Sequence, residues 1–130
     1  MSSKWIDILT DILAEITSAL EFTESGGTLI SDGTEQTVTM VDSPVRLIVP
    51  VTFLLSAVNN AAGDTIIVRL YYRIKSGGEY IAESALTISG AQSPALKTFG
   101  LLPNLYGFKV TVERTAGESR AYDWELVLTQ

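Results

Sequence analysis

The 130-residue sequence contains no cysteine and no histidine. Those absences exclude disulfides, zinc sites with Cys or His ligands, haem ligation by either residue, Ser-His-Asp triads and Cys-His dyads. Basic residues are scarce too: nine Lys and Arg stand against fifteen Asp and Glu, a formal charge of −6. Residues 1–65 hold two bases against nine acids, whereas residues 66–130 hold seven against six. With no Lys/Arg cluster the chain is a poor phosphate binder, and nucleic acid is not an expected partner. Long apolar runs are missing as well. The longest uncharged stretch, residues 47–63, is broken by Pro50, Asn59 and Asn60, well short of the ~20 residues a bilayer span needs. Asp7, Asp11 and Glu15 interrupt the apolar N-terminal residues, so these do not read as a signal peptide. Synthesis in a cytoplasm without export is therefore the expectation.

The chain does have the means to build a core: 46% of its residues are hydrophobic and 18% charged. Near the N-terminus, Trp5, Ile6, Leu9, Ile12, Leu13, Ile16, Ala19 and Leu20 recur at alternating spacings of three and four, opposite Lys4, Asp7, Asp11, Glu15 and Ser18. This is the signature of an amphipathic helix over residues 1–25, capped at Ser2 or Ser3, with Asp7 placed to complement the helix dipole. Residues 24–27, Glu-Ser-Gly-Gly, read as a flexible joint to a second unit, residues 26–130. A helix with a greasy stripe either packs back on its own sandwich or associates with copies of itself or a larger body; the glycine joint after it favours the second, an assembly or docking element. The stripe is Trp5, Leu9, Ile12, Leu13, Ile16 and Leu20. Its acidic polar face argues against a membrane-surface helix.

After Gly27 the hydrophobic period becomes two. Ile66, Val68, Leu70, Tyr72 and Ile74 alternate with Arg69, Tyr71, Arg73 and Lys75. Tyr106, Phe108, Val110 and Val112 form a second face, and Trp124, Leu126 and Leu128 a third, with Trp124 read as core. Val45, Leu47, Val49, Val51, Phe53 and Leu55 form another, with Ile48 and Leu54 opposite. Pro50 marks an edge, a bulge or a bend. Asp32-Gly33 reads as a hairpin turn, Ser76-Gly77-Gly78 as a second, and Ala116-Gly117-Glu118 as closing the last. About eight strands without an interleaved helix specify a mainly β fold: an antiparallel two-sheet sandwich or jelly roll preceded by one helix.

No residue set names a chemistry. Glu79, Glu83, Glu113 and Glu125 are not marked as a facing carboxylate pair, and the loop acids Asp32, Asp42 and Asp64 lack calcium-loop spacing. No catalytic residue, cofactor or metal is expected, and the chain reads as a non-enzyme. Tyr71, flanked by Arg69 and Arg73 on a polar strand face, is the candidate contact for a ligand or partner.

Several strings in order carry a resemblance: residues 31–37 (Ser-Asp-Gly-Thr-Glu-Gln-Thr), 62–65 (Ala-Gly-Asp-Thr), 77–80 (Gly-Gly-Glu-Tyr), 107–117 (Gly-Phe-Lys-Val-Thr-Val-Glu-Arg-Thr-Ala-Gly) and Asp123-Trp124. Their order resembles small β-sandwich structural proteins of tailed bacteriophages and archaeal viruses, over residues 28–130. The resemblance implies a virion component, such as a capsid decoration, turret, tail or fibre protein. Its partners would be copies of itself and other virion proteins. The alternatives are a glycan- or receptor-binding module, or a subunit of a cellular surface filament.

Overall fold

The computed structural model describes residues 2–19, 22–44 and 46–129. One helix, α1 (Ser2–Ala19), precedes eight strands: β1 (Phe22–Ile30), β2 (Glu35–Asp42), β3 (Val49–Ser56), β4 (Thr65–Tyr72), β5 (Ile81–Ser89), β6 (Leu96–Phe99), β7 (Gly107–Ala116) and β8 (Ala121–Thr129). They form two four-stranded antiparallel sheets, ordered β1-β8-β3-β6 and β2-β7-β4-β5. Consecutive strands β1/β2, β7/β8, β3/β4 and β5/β6 lie in opposite layers, and only β4–β5 is a true hairpin. This order is the two-sheet jelly roll expected from the strand period.

The core lies between the layers. Ile66, Val68, Leu70 and Tyr72 of β4 alternate inward, as do Phe108, Val110 and Val112 of β7 and Tyr122, Leu126 and Leu128 of β8. They meet Phe53 and Leu55 of β3. The alternation predicted for β4 and β7 therefore holds within the strands and fails just outside them. Ile74 lies past the end of β4 and is 76% exposed; Tyr106 precedes β7 and is largely outside the core.

Pro50 resolves the ambiguity around β3. The β3–β8 register slips between Pro50 and Thr52, so one extra residue is inserted in β3. A bulge inverts which face each later residue occupies. Ile48 before it and Phe53 after it, of opposite parity, are both fully buried, while Leu47 and Val49 point out. The single apolar face expected along residues 45–55 is thus split in two by the bulge.

Three further expectations are corrected. Asp32-Gly33 is a turn but joins no hairpin, because β1 pairs with β8 and β2 with β7. The Asp32 carboxylate accepts from the Thr34 N–H and hydroxyl (2.9 and 2.6 Å), and Gly33 takes a positive φ of 86°. This local chemistry turns the chain without specifying which strands pair. The turn at residues 116–118 likewise passes between layers. Third, the helix ends at Ala19, and the expected flexible joint is the middle of edge strand β1, in register with Glu125 and Trp124 of β8. Because α1 starts at Ser2, Asp7 also falls beyond the first helical turn, too far in to complement the dipole strongly.

The glycines of β1 serve close approach. A Cβ at Gly27 would rest 3.4 Å from the Trp124 indole, which is stacked on Phe53 with centroids 6.2 Å apart. A Cβ at Gly26 would press to 2.9 Å against the Trp124 carbonyl oxygen. Trp124 is half-buried, packed against the core from its margin. Gly26→Ala is therefore expected to destabilise by about 1–2 kcal/mol and Gly27→Ala by less than about 0.5 kcal/mol, read by urea unfolding. Equal effects would contradict this packing.

Candidate assembly surfaces

Eighteen helical residues make a rod ~27 Å long. Residues 4–13 of α1 are exposed throughout, Trp5 at 66%, Leu9 at 62% and Ile12 at 48%. The expected stripe is therefore present on the helix surface at Trp5, Leu9, Ile12 and Leu13. Leu20 and the side chain of Ile16 lie outside the described residues. Leaving Trp5, Ile6, Leu9 and Ile12 in water is costly, since each would contribute ~1.5–3 kcal/mol on burial. No described helix is long and apolar enough to cross a membrane.

A second apolar surface was not anticipated. At the end of the sandwich where α1 joins β1, a cleft of about 610 Å³ opens between the start of β5 and the segment joining β6 to β7. Leu47, Ile74, Ile81, Leu102, Leu105 and Tyr106 line it, all substantially exposed. Its far wall is fixed by hydrogen bonds. The Leu102 N–H donates to the Tyr72 hydroxyl (2.8 Å), Ile48 and Asn104 exchange backbone bonds (2.9 and 3.0 Å), and the Gly107 N–H donates to Asn104 Oδ1 (3.2 Å). The cleft is thus preformed. Sequence reasoning missed it because these residues break the strand alternation: Ile74 overruns β4, Leu47 lies before the bulge, and Leu102-Pro103-Asn104-Leu105-Tyr106 is a loop too apolar for a solvated one. That last run was the available signal.

The arginine–tyrosine cluster is brought together on one outer sheet face, but its groups are engaged by carboxylates of neighbouring strands. The Tyr71 hydroxyl donates to the Glu35 carboxylate, which also accepts from Thr111 (2.8 Å). Arg69 bridges Glu113 (2.9 Å) and Glu35 (3.4 Å), and the Lys109 ammonium lies 4.8 Å from the Tyr71 ring centroid. Those bonds, Tyr71 foremost, hold the Glu35 carboxyl below its usual range; burial, and then Glu35, raise the Tyr71 phenol. Arg73 pairs with Asp42 at 2.8 Å and covers the Tyr80 ring at 4.5 Å. The Tyr80 phenol is pushed up to about 12 by burial and by its bond to Asp42. The three residues form a cross-strand lattice over β2, β7 and β4. Tyr71→Phe is expected to shift stability by no more than about 1 kcal/mol and to leave assembly unchanged, as chemical denaturation and sedimentation would show.

At the opposite end a buried polar clasp ties the loops. Asp64 accepts from the backbone N–H of Ala61 (2.9 Å) and of Glu118 (3.0 Å) and from Arg120 Nε (2.8 Å). Those bonds, the Glu118 one foremost, lower its carboxyl from 3.8 to about 2. Buried Asn60 accepts from the Tyr122 hydroxyl (2.6 Å) and donates to the Gly90 carbonyl (2.8 Å). Asp32, Asp42 and Asp64 sit at separate places, and among the described residues no group of three acids is arranged to hold a metal ion. Glu79, Glu83, Glu113 and Glu125 fall on separate elements, with Glu113 engaged by Arg69.

No protein-family model and no curated protein matches the chain. Among solved structures, the fold is similar to a chain of the Bacillus endospore appendages, described as "a novel family of disulfide-linked pili". The TM-score is 0.54, over 85% of this chain and 87% of that one, at 12% identity. At that identity the likeness is one of fold.

Proposed function

We propose that this protein is a non-enzymatic structural subunit that polymerises with copies of itself into a surface filament of the pilus type. The observation that carries the reading is the apolar stripe of α1, exposed at Trp5, Leu9 and Ile12 among the described residues. Among the described residues, the sheet edges on β1, β6, β2 and β5 are unpaired and add surfaces on which a neighbour's strand can pair. The likeness to a pilus subunit supports a filament. The absence of cysteine means that cohesion here rests on apolar burial and hydrogen bonding, not on the disulfides for which those pili are described.

A closed virion shell or decoration is the second reading. The strand order favours it, because viral capsid domains use the same jelly roll. Electron microscopy of the purified protein separates the two: filaments are the expected result, closed particles would favour the virion reading, and a monodisperse monomer would overturn both.

A further inference from the structure

The two sheets guard their edges differently. In the sheet β1-β8-β3-β6, edge strand β6 is only Leu96–Phe99 and carries Lys97, and edge strand β1 is interrupted by Gly26-Gly27. Brevity and lysine are means by which natural edges resist pairing with another chain, and glycine weakens a strand. The sheet β2-β7-β4-β5 has none of them. Its edges β2 (Glu-Gln-Thr-Val-Thr-Met-Val-Asp) and β5 (Ile-Ala-Glu-Ser-Ala-Leu-Thr-Ile-Ser) contain no lysine, arginine, proline or glycine. The β5 edge also leaves core surface bare. Leu86 and Ile88 face inward beside Val68 and Ile66, yet Leu86 is 42% exposed and Ile88 only 2%. Next to Leu86 a hollow of about 300 Å³ opens between β5 and β6, lined in part by Val68, Leu70 and Phe99.

The two open edges are in step with each other. Followed across β4 and β7, the ladder sets Ile81 level with Val41, Ala85 with Thr37 and Thr87 with Glu35. Each edge has one bulge, at Val38 in β2 and at Glu83 in β5. A bulge turns a lone edge away from pairing; here each strand has one extra residue, so residues 81–87 span the same rows as residues 35–41. Because the four strands alternate in direction, β2 and β5 run opposite ways.

We propose that β5 of one protomer pairs antiparallel with β2 of a second copy, at the level the two strands already share, so that one sheet continues from subunit to subunit. The inference rests on the self-assembly reading above and names the strands that meet. In that register Ile81 lies against Val41, Leu86 against Gln36, and Glu35 meets the uncharged Thr87. No two like charges stand opposite each other. Two-fold pairing of β2 with β2 over its full length sets Glu35 opposite Asp42, which is destabilising. Two-fold pairing of β5 with β5 leaves β2 open. Each step displaces a neighbour by about 19 Å and turns it by the sheet's own twist. Such a row closes into a ring or winds into an open helix. One strand pair buries less than the ~1,000 Å² of a stable interface. The edge therefore sets the direction of the row and burial of the α1 stripe holds it, so the polymer requires both.

The sequence has no cysteine, so introduced ones pair only with each other. Ala85 and Thr37 are exposed, and within one chain they stand three strand spacings apart, ~14 Å, too far for a disulfide. Oxidation of the full-length double variant Ala85→Cys/Thr37→Cys is expected to give a ladder of covalent multimers. A mixture of the two single variants should give a dimer containing one of each. Native mass is measured on the same samples. Assembled protein without a ladder overturns the proposal and leaves the filament reading intact. So does linkage only between like single variants, which marks a two-fold contact. Protein that stays monomeric in every sample defeats both readings. Charge exchange supplies a second measure. Thr37→Lys with Ala85→Lys sets like charges opposite each other and should weaken assembly about fivefold, with an unchanged circular dichroism melt; Thr37→Glu with Ala85→Lys should restore it. Equal weakening by both combinations would show that these positions do not meet.

Discussion

Ile12→Asp is expected to leave a folded monomer where the parent chain forms higher assemblies. Ile12 is 48% exposed on a helix whose residues 4–13 are all exposed, so the substitution removes nothing from the protomer's own core. In an assembled state the same position is covered. The loss there has two parts: about 1.5–3 kcal/mol of apolar burial, and the larger cost of enclosing an unpaired carboxylate. Repeated at every contact of a polymer, the two exceed what a subunit interface can absorb, and association should fall by more than about a hundredfold. The check is sedimentation velocity beside a thermal melt. A lost polymer with an unchanged melt is the expected pair; a lowered melt would show that Ile12 supports the protomer itself.

The second large effect concerns the clasp at the other end. Asp64→Asn is expected to lower the melting temperature more than any substitution on the exposed outer faces. The Asp64 carboxylate accepts three hydrogen bonds, one of them from Arg120, and a neutral amide cannot accept at both of its terminal atoms. At least one donor is then left unpaired in a buried place, and Arg120 loses the nearer of its two counter-charges, keeping only exposed Glu118 at 3.5 Å. The pH dependence follows from the lowered carboxyl. Between about 2 and 3.8 the unfolded chain binds a proton that the folded chain does not, so stability rises with pH across that window. The contribution is complete above the unfolded value and lost as pH falls through about 2. Glu35 and Asp32, lowered by Tyr71 and by Thr34 respectively, act with the same sign. Asp64→Asn should flatten the acid limb of a stability–pH curve, which urea titrations at a series of pH values would measure. An unchanged slope would mean that the clasp does not carry the charge assigned to it.

Gly117→Ala tests the same clasp from the backbone. Gly117 has a φ of 86°, and a Cβ there would lie 2.5 Å from the Asp64 Cα. Strain and collision coincide, so this substitution should destabilise even though its side chain is a single methyl.

The parts of this fold legible in the sequence were those governed by period. Alternation at 66–72 and 108–112 placed the inner faces of β4 and β7, and the three-four spacing from Trp5 placed α1. Element type followed because side-chain direction is set locally. What was not legible depended on pairing. Asp32-Gly33 looks the same whether the strands it joins lie in one sheet or in two. Gly26-Gly27 looks like a hinge unless Trp124, almost a hundred residues away, is known to lie across it. The bulge at Pro50 was one of three readings of that proline, and only the register with β8 selects it. The helix stripe, a periodic feature, was readable as an apolar helix face. The cleft, assembled from a strand overrun, a bulge and a loop, was not. Tyr71, Arg69 and Arg73 were correctly placed on one polar face, but their carboxylate partners come from β2 and β7 and were invisible along β4.

The decisive measurement is the native mass, by analytical ultracentrifugation, of the full chain and of a chain starting at residue 20, which retains all of β1. The expected result is a multi-subunit species for the first and a folded monomer, with an unchanged β-type circular dichroism spectrum, for the second. Equal masses would show that α1 is not what joins the subunits.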